Sequence, residues 1–362
     1  MSYIFKLDMI DALSLGSAVM GSGGGGNPYV GALLLKNAME RNHVNHIQVY
    51  AVEEIDDCDT ILGSAGMGSP VVGVEKLPNG TEYAFAVKML SEYIRKTPSH
   101  ISPMEIGGIN SLVPFICSTY LDKPVIDGDG EGRAFPELQM TTFSGFGNKV
   151  SPVCVVNEHG DYAIVESDDD HRTEKMARAI TLSFGGRGYI SLFPMGGQDY
   201  RRACIPDSVS RAYEIGESLI EGYRSKDAED RLVNSSGARL IYRGKITNVV
   251  RRTSKGFSHG YFMAEGSENF AGTSIRIRFQ NEFLVAEVSN GDDSWVTVAE
   301  TPEIISVMDS ESFYPVTTER LKYGFRCSIF SIPVNRKWFE VDYKKIVGLG
   351  NFGLLREDSE HI

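Results

Sequence analysis

Roughly the first 230 residues alternate short β-branched runs with amphipathic helical stretches, and this alternation is typical of a sheet covered by helices. The runs predict strands at 46–52, 71–74, 101–106, 124–126, 153–156, 162–165 and 189–193. The amphipathic stretches predict helices at 28–41, 83–96, 109–121, 173–184 and 207–223. The sequence therefore predicts an α/β domain with a mixed sheet.

After the polar stretch 224–237, strand-like runs are separated by glycine, asparagine and aspartate turns. They predict strands at 239–250, 261–264, 273–279, 283–288, 303–307 and 326–332. We therefore expect an α/β domain over 1–235, a β-rich domain over 236–347, and a tail, 348–362, that could pack back on the first domain.

Charge and composition exclude several classes of protein. The chain has 36 basic against 48 acidic residues, a net charge of -12, which gives no reason to expect a nucleic-acid partner. The first residues do not resemble a secretion signal, no apolar run approaches the ~18 residues of a membrane helix, and the five cysteines show no metal-binding spacing. We expect a cytoplasmic protein that binds a small molecule, has no membrane partner and forms a homo-oligomer.

A glycine-rich turn precedes the first predicted helix, and its residues are Gly23, Gly24, Gly25, Gly26 and Asn27. Consecutive glycines cost chain entropy, so we expect bare backbone N–H groups here to bind a substrate oxygen or carboxylate. A tight flexible connection is the alternative. A nucleotide cradle, as in a kinase-like or ligase-like enzyme, lacks its Walker lysine.

A second signal is the acidic loop that follows the strand predicted at 124–126. It carries Asp127, Asp129, Glu131, Arg133 and Glu137. Acids at the carboxyl end of a strand favour ligand chemistry, so we expect them to bind polar groups of a substrate or one divalent metal ion. Arg133 would neutralise an acid or hold a substrate carboxylate. A solvated turn without a ligand is the alternative. A calcium-binding loop is a further possibility, but Leu138 stands where its final acid is required.

Three further residues are candidates. Glu105 ends a predicted strand, where it can titrate or bind a ligand, and Asn110 either binds a ligand or caps the next helix. His259 follows a glycine-flanked turn and is a metal ligand or an ordinary surface residue. Glu75 and Lys76 form a possible acid and cation pair.

Taken in order, these blocks resemble the S-methyl thiohydantoin desulfurase family over nearly the whole chain. The resemblance rests on GSGGGGNPYVGALL, GMGSPVV followed by EK, EIGGINSLVPF, PVIDGDGEGRAFPELQM, IPDSVSRAYEIG, GKITNVVRR with GFSHG, IRFQNE and TTERLKYGFR. The chain departs from the family pattern at Asn27, where an aspartate is frequent, and at Glu131, where Asp-Gly-Met-Gly-Arg is frequent. The second departure adds an acid to the pocket.

The resemblance implies hydrolysis of a five-membered, hydantoin-like ring at the carbon that bears sulfur, with release of a thiol. It implies a water activated by Glu105, Asp127 or Asp129, directly or through a metal, with Arg133 orienting an acidic substrate tail. A non-catalytic subunit that assists a hydantoinase-like partner is the alternative. The proposed chemistry requires that the glycine-rich turn and the acidic loop converge on one cleft.

Overall fold

A computed structural model describes residues 1–68, 76, 78–254, 256–291 and 294–354. The strand predicted at 71–74, the acid of the Glu75–Lys76 pair and residues 355–362 of the tail lie outside the described residues. Lys76 itself forms an ion pair with Glu158, with 2.6 Å between the amine and a carboxyl oxygen.

The first sheet is mixed. Its strands are β1 (Tyr3–Lys6), β2 (His46–Ala51), β3 (Thr60–Gly68), β4 (His100–Pro103), β5 (Val125–Asp129), β6 (Val153–Val156), β7 (Tyr162–Val165), β8 (Arg187–Gly196) and β9 (Ile205–Pro206). They run in the order β1-β2-β5-β4-β3-β8-β6-β7, and β9 pairs with β5. The neighbours β2, β5, β4 and β3 are parallel, whereas the other pairs are antiparallel. The carboxyl ends of β3, β4 and β5 therefore lie at one edge.

Helices cover this sheet. They are α1 (Ile10–Met20), α2 (Pro28–Arg41), α3 (Thr81–Ile94), α4 (Val113–Leu121), α5 (Thr142–Gly145), α6 (Asp170–Ser183), α7 (Gly197–Ala203), α8 (Ser208–Ser225) and α9 (Ala228–Ser236). Helices α1 and α8 touch through two glycines: a Cβ atom at Gly16 would lie 1.7 Å from the carbonyl oxygen of Ala212, and one at Gly216 would lie 1.7 Å from that of Ala12. Only glycine allows this approach.

The second sheet is antiparallel throughout. Its strands are β10 (Arg239–Ser254), β11 (Phe257–Gly266), β12 (Ser274–Gln280), β13 (Glu282–Ser289), β14 (Val296–Glu300), β15 (Ile304–Asp309) and β16 (Arg326–Ile332), in the order β14-β13-β12-β11-β10-β16-β15. Alternation along β12 places Ile275, Ile277 and Phe279 in a core, while Arg276 and Arg278 pair with Glu287. The predicted fold class, a helix-covered mixed sheet followed by a β-rich domain, is confirmed.

After β16 the chain returns to the first domain. It forms 3-10 turns at Arg336–Glu340 and Leu349–Phe352 around the helix α10 (Tyr343–Val347). The Trp338 ring is fully buried and lies 5.6 Å from the ring of Phe135, and its indole N–H donates to the Glu131 carbonyl over 2.8 Å. In the described part of the tail, Leu354 packs with Leu284 and Val285 of β13.

None of the helices in the described ranges is both long enough and apolar enough to cross a membrane.

Candidate functional site

A cavity of about 200 Å³ lies where the two sheets meet. The first domain contributes the glycine-rich turn, the end of β3, the junction after β4, the acidic loop, and parts of α6 and β8. The second domain contributes Asn281, Glu282 and Glu319. The site is therefore built by both halves of the chain.

The glycines of the turn allow close approach to the backbone of Gly107 and to the side chain of Glu282. Gly23, Gly25 and Gly26 have φ of 81°, 71° and 76°, in the left-handed region that favours glycine. A Cβ atom at Gly25 would lie 2.5 Å from the carbonyl oxygen of Gly107, and one at Gly24 would lie 2.1 Å from Glu282 Oε1. A tightly packed connection, which was the alternative interpretation, thus explains much of the glycine content of the turn.

The turn is also bonded to the second sheet. Ser22 is fully buried, and its carbonyl accepts the N–H of Phe283 over 2.7 Å. Its hydroxyl oxygen accepts the N–H of Ile305 over 3.1 Å, and the Gly23 carbonyl accepts the N–H of Thr318 over 2.9 Å. These bonds fix the wall of the cavity that the turn supplies.

Two N–H groups of the turn remain for a ligand. The Gly24 N–H donates to the Gly21 carbonyl, and the Gly25 N–H donates to Glu282. Within the described ranges, the N–H groups of Gly26 and Asn27 have no partner, and both residues line the cavity. The Asn27 side chain accepts from Tyr29 N and caps α2. Stabilisation of charge by this turn stays a prediction.

Glu105 is a buried acid of the first domain that lines the cavity. It is 6% exposed, and its Oε1 atom accepts a hydrogen bond from the Asn110 amide. Its Oε2 atom is buried and has no partner among the described residues. Burial, followed by the charges of Glu282 and Asp129, raises the pKa of Glu105 well above its usual range.

Asn110 orients this acid. Its Oδ1 atom accepts the N–H of Gly66 over 2.7 Å, and its amide donates to the Gly66 carbonyl over 3.2 Å as well as to Glu105. Its described bonds go to the end of β3 and to Glu105, and the amino end of α4 has no side-chain cap. Asn110 therefore lines the cavity as a residue that positions Glu105.

Glu131 and Glu282 complete a buried group of acids. Glu131 Oε2 accepts the N–H of Phe135 over 2.7 Å, and burial together with the charge of Glu105 raises its pKa well above the usual range. Glu282 Oε1 accepts the N–H of Gly25 over 3.3 Å, and its Oε2 atom is buried without a partner in the described part of the chain. Burial raises the pKa of Glu282 to about 8, although the charge of Arg133 opposes the shift.

Asp129 folds the acidic loop. Its carboxylate accepts from the N–H groups of Ile106 (2.9 Å), Glu131 (3.2 Å) and Gly132 (2.8 Å), and burial raises its pKa to about 7 despite these bonds. It is fully buried and is absent from the cavity lining. Asp129 thus supports the cavity wall from behind.

Asp127 is placed differently from the expectation. Its carboxylate accepts from the N–H groups of Val209 (2.9 Å) and Ser210 (3.0 Å) and from the Ser210 hydroxyl, at the amino end of α8. It is not part of the cavity lining. A carboxylate in this position satisfies otherwise unpaired N–H groups and complements the helix dipole, which is a structural role.

Of the two roles expected for Arg133, its surroundings fit the neutralisation of acids, since the charges of Glu282, Glu131 and Glu105 act on it. Its guanidinium is fully buried and donates to the carbonyls of Ala134 (3.0 Å), Phe283 (2.8 Å) and Glu303 (2.6 Å). It therefore joins the acidic loop to the second sheet and neutralises nearby acids. It does not line the cavity, so the structure provides no contact through which it would hold a substrate carboxylate.

The remaining candidates, Glu137 and His259, differ in their position relative to the cavity. Glu137 lines the cavity, and its Oε2 atom accepts from Gln139 over 2.6 Å. His259 lies half-buried on β11, outside the cavity lining, and burial lowers its pKa. Across the described residues, no three His, Cys, Asp or Glu side chains are grouped to hold a metal. A divalent metal ion stays a prediction.

Residue-by-residue reasoning missed several members of the site, among them Arg178 on α6, Arg187 on β8 and Glu282. The Arg178 guanidinium pairs with Glu174 and lies 3.9 Å from the ring centroid of Phe257. Of these three residues, only Glu282 had a local signal in the sequence, as a polar residue beside a strand end. The packing of distant segments brings all three to the cavity.

Comparisons with known proteins agree on the type of fold. The family model described as "S-Me-THD-like, N-terminal domain" matches residues 8–167, and the model described as "S-Me-THD-like, C-terminal domain" matches residues 167–362. A crystal structure of a protein from Chromobacterium violaceum superposes with a TM-score of 0.81 at 20% identity, covering 98% of this chain and 97% of that one. At this identity the likeness shows the fold alone. No curated protein matches the sequence.

Proposed function

This chain belongs to the S-Me-THD-like family, and from that premise we propose that it is a hydrolase acting on a five-membered cyclic amide or S-methyl thiohydantoin-like ring. The single observation that carries the proposal is the buried Glu105 carboxyl, which lines the cavity with an unpartnered Oε2 atom. A strongly shifted acid in a cleft is a candidate for proton transfer.

The proposed reaction replaces sulfur by oxygen. Water adds to the ring carbon that bears the S-methyl group, so that a carbon–oxygen bond forms and the adjacent ring nitrogen takes up a proton. The carbon–sulfur bond then breaks, methanethiolate is protonated, and a ring carbonyl remains. One water is consumed, and no oxidant, reductant or other co-reactant is required.

Glu105 and Glu131 supply the acid and the base in this scheme. Burial and the charges of neighbouring groups raise the pKa of each acid, and the charge of Glu105 acts directly on Glu131. Two such carboxyl groups hold one proton between them over a wide pH range. Glu105 is the proton donor, because its Oε2 atom has no hydrogen-bond partner among the described residues and the residue lines the cavity. Glu131, whose ionised form the Phe135 N–H stabilises, accepts the proton of water.

The other expected bases are less suited to this role. Asp127 and Asp129 are bonded to backbone N–H groups, and neither lines the cavity. The N–H groups of Gly26 and Asn27 stabilise negative charge that develops on a ring heteroatom.

The test is an assay of purified protein with S-methyl thiohydantoin and with hydantoin, following thiol release and the mass of the ring product. Glu105→Gln should lower kcat by about 10²–10⁴-fold, the usual contribution of one acid–base group. Glu82→Gln is the matched control, because Glu82 is also buried but lies outside the cavity, where it binds the N–H groups of Asn79 and Gly80.

Two outcomes would count against the proposal. Wild-type turnover in Glu105→Gln would remove this acid from the chemistry. Ring binding without turnover would favour the alternative, an accessory subunit, and the purification should then be repeated in search of a hydantoinase-like partner.

A further inference from the structure

We propose that Glu282, supplied by the second domain, binds the cyclic amide edge of the substrate, and that with Glu105 it makes the site specific for an uncharged ring bearing an N–H group. The inference rests on the proposed function for the ring chemistry and extends it to the substrate class. Its first support is geometric, because Glu105 and Glu282 are 6% and 3% exposed and both line the cavity.

Each of these two acids presents a buried Oε2 atom that has no hydrogen-bond partner in the described ranges. Buried polar atoms are nearly always paired in folded proteins, and unpaired ones in a cavity indicate a missing partner. Since the atoms come from opposite domains, a ligand that satisfies both must lie between them.

The side chain of Glu282 is held firmly enough to select a ligand. It follows Asn281, which has φ of 56° and whose N–H donates to the Ser258 carbonyl over 2.8 Å. The Asn281 side chain accepts the N–H of Ser258 over 2.8 Å, and the Thr318 hydroxyl donates to the Asn281 carbonyl over 2.8 Å. The Gly25 N–H then fixes Oε1, so Oε2 has a defined position.

The protonation of Glu282 determines which ligand edge fits. Burial raises its pKa to about 8, so near neutral pH the group is mostly an uncharged acid. Such an acid offers one O–H donor beside one acceptor. A ring holds its amide in the cis form, with N–H and C=O on the same edge, whereas an open-chain amide is trans. The two edges of acid and cyclic amide are complementary.

The lining of the cavity disfavours an acidic ligand. Five glutamates line it, and they are Glu105, Glu131, Glu137, Glu282 and Glu319. The two arginines in the lining are already engaged: one pairs with Glu174, and the other donates to the Lys76 carbonyl and the Tyr83 hydroxyl. A ligand carboxylate would therefore find no described cation in the lining that is without a partner, and any of the five acids that is ionised would repel it.

The cavity size agrees with a small ring. Its volume of about 200 Å³ is below the ~300–1,000 Å³ that is typical of sites for drug-sized ligands.

The experiment is calorimetric titration of the full-length protein at pH 7 with four probes: hydantoin, 1,3-dimethylhydantoin, hydantoin-5-acetic acid and the open-chain N-acetylglycinamide. We expect hydantoin to bind at least 10-fold more tightly than each of the others. Glu282→Ala should weaken hydantoin at least 10-fold, whereas Glu282→Gln, which keeps a donor beside an acceptor, should retain most of the affinity. Glu287→Gln is the control, a buried glutamate on the same strand that pairs with Arg276 and Arg278.

Equal or tighter binding of hydantoin-5-acetic acid or of the dimethylated ring would overturn the inference, as would unchanged hydantoin affinity in a folded Glu282→Ala protein. If Glu282→Ala does not fold, the probe series on the wild type still decides, because it needs no variant. The two proposals fail separately: binding without turnover defeats the proposed hydrolysis alone, and turnover that is insensitive to Glu282→Ala defeats this inference alone.

Discussion

The backbone N–H of Gly25 donates a hydrogen bond to the Oε1 atom of Glu282 over 3.3 Å. The bond joins the glycine-rich turn of the first domain to the first residue of β13 in the second. The other oxygen of this carboxyl, Oε2, is buried and has no hydrogen-bond partner among the described residues. The position of this acid therefore depends on how the two domains pack.

Gly24→Ala should weaken ligand binding. The added methyl group would lie 2.1 Å from Glu282 Oε1, so the carboxyl must move. We expect hydantoin affinity to fall by ~10-fold, equivalent to about 1.4 kcal/mol, and the free energy of unfolding to fall by about 1–3 kcal/mol from overpacking. Calorimetry and urea unfolding measure the two effects. Gly196→Ala is the control, since its methyl group would meet only the Asp57 carbonyl at 3.9 Å. Equal affinity in Gly24→Ala and wild type would show that Glu282 does not need this position.

Asp127→Ala should affect stability and leave the chemistry unchanged. Loss of a carboxylate that accepts two N–H groups of α8 is expected to lower the free energy of unfolding by about 1–2 kcal/mol, as for other helix caps. Asp127→Asn keeps one acceptor oxygen and should cost less. Turnover per folded molecule should equal that of the wild type in both variants. Loss of turnover in a folded variant would show that Asp127 takes part in the reaction.

Sequence patterns predicted helices and strands with a clear apolar period better than a strand made mostly of small residues. Helix α2 has the predicted bounds, because Asn27 and Pro28 mark its start and its apolar positions follow the helical period. Strand β3 was not predicted, because Thr-Ile-Leu-Gly-Ser-Ala-Gly-Met-Gly lacks β-branched alternation. Glycine is favoured at Gly63 because of its neighbour: a Cβ atom there would lie 2.2 Å from the sulfur of Met104. The polar stretch 224–237, which was expected to separate the domains, contains α9 with a fully buried Leu232.

The site was predictable where it is local in sequence. The turn at Gly25 and Gly26, Glu105 and Glu131 were found because each follows or precedes a regular element in a pattern that favours ligand binding, and the structure places all four in one cavity. Acids two residues apart on the same strand end differ in environment, since Asp127 contacts α8 and Asp129 contacts the loop backbone. Such differences arise from tertiary packing, which periodicity does not encode.

Glu282 should make stability decrease as pH rises. Its pKa is about 8 in the folded protein against 4.5 as the ordinary value, so the folded state holds more protons between these values. The stabilising contribution is present below about pH 4.5 and is lost as pH rises through 8. Urea unfolding at pH 5, 6.5 and 8 should show a loss of a few kcal/mol in the wild type and a smaller loss in Glu282→Gln. Glu105 and Glu131 titrate in both proteins, and the charge of Glu282 raises the pKa of each, so the difference reports Glu282 together with its effect on these two acids. Equal slopes would contradict the assignment.

Asn110→Ala should extend activity to higher pH while lowering its maximum. The Asn110 amide donates to Glu105 and stabilises the ionised form, so its removal raises the pKa of an acid already raised by burial and by Glu282 and Asp129. Activity that needs protonated Glu105 then persists further into the alkaline range. We expect kcat to fall by ~10-fold because the acid is no longer oriented, and the alkaline limb of kcat/KM to move upward. Glu282→Gln should move the same limb downward, because a neighbouring negative charge is lost. A purely structural role for Asn110 would lower the rate without moving the limb, and pH profiles of the three proteins distinguish the cases.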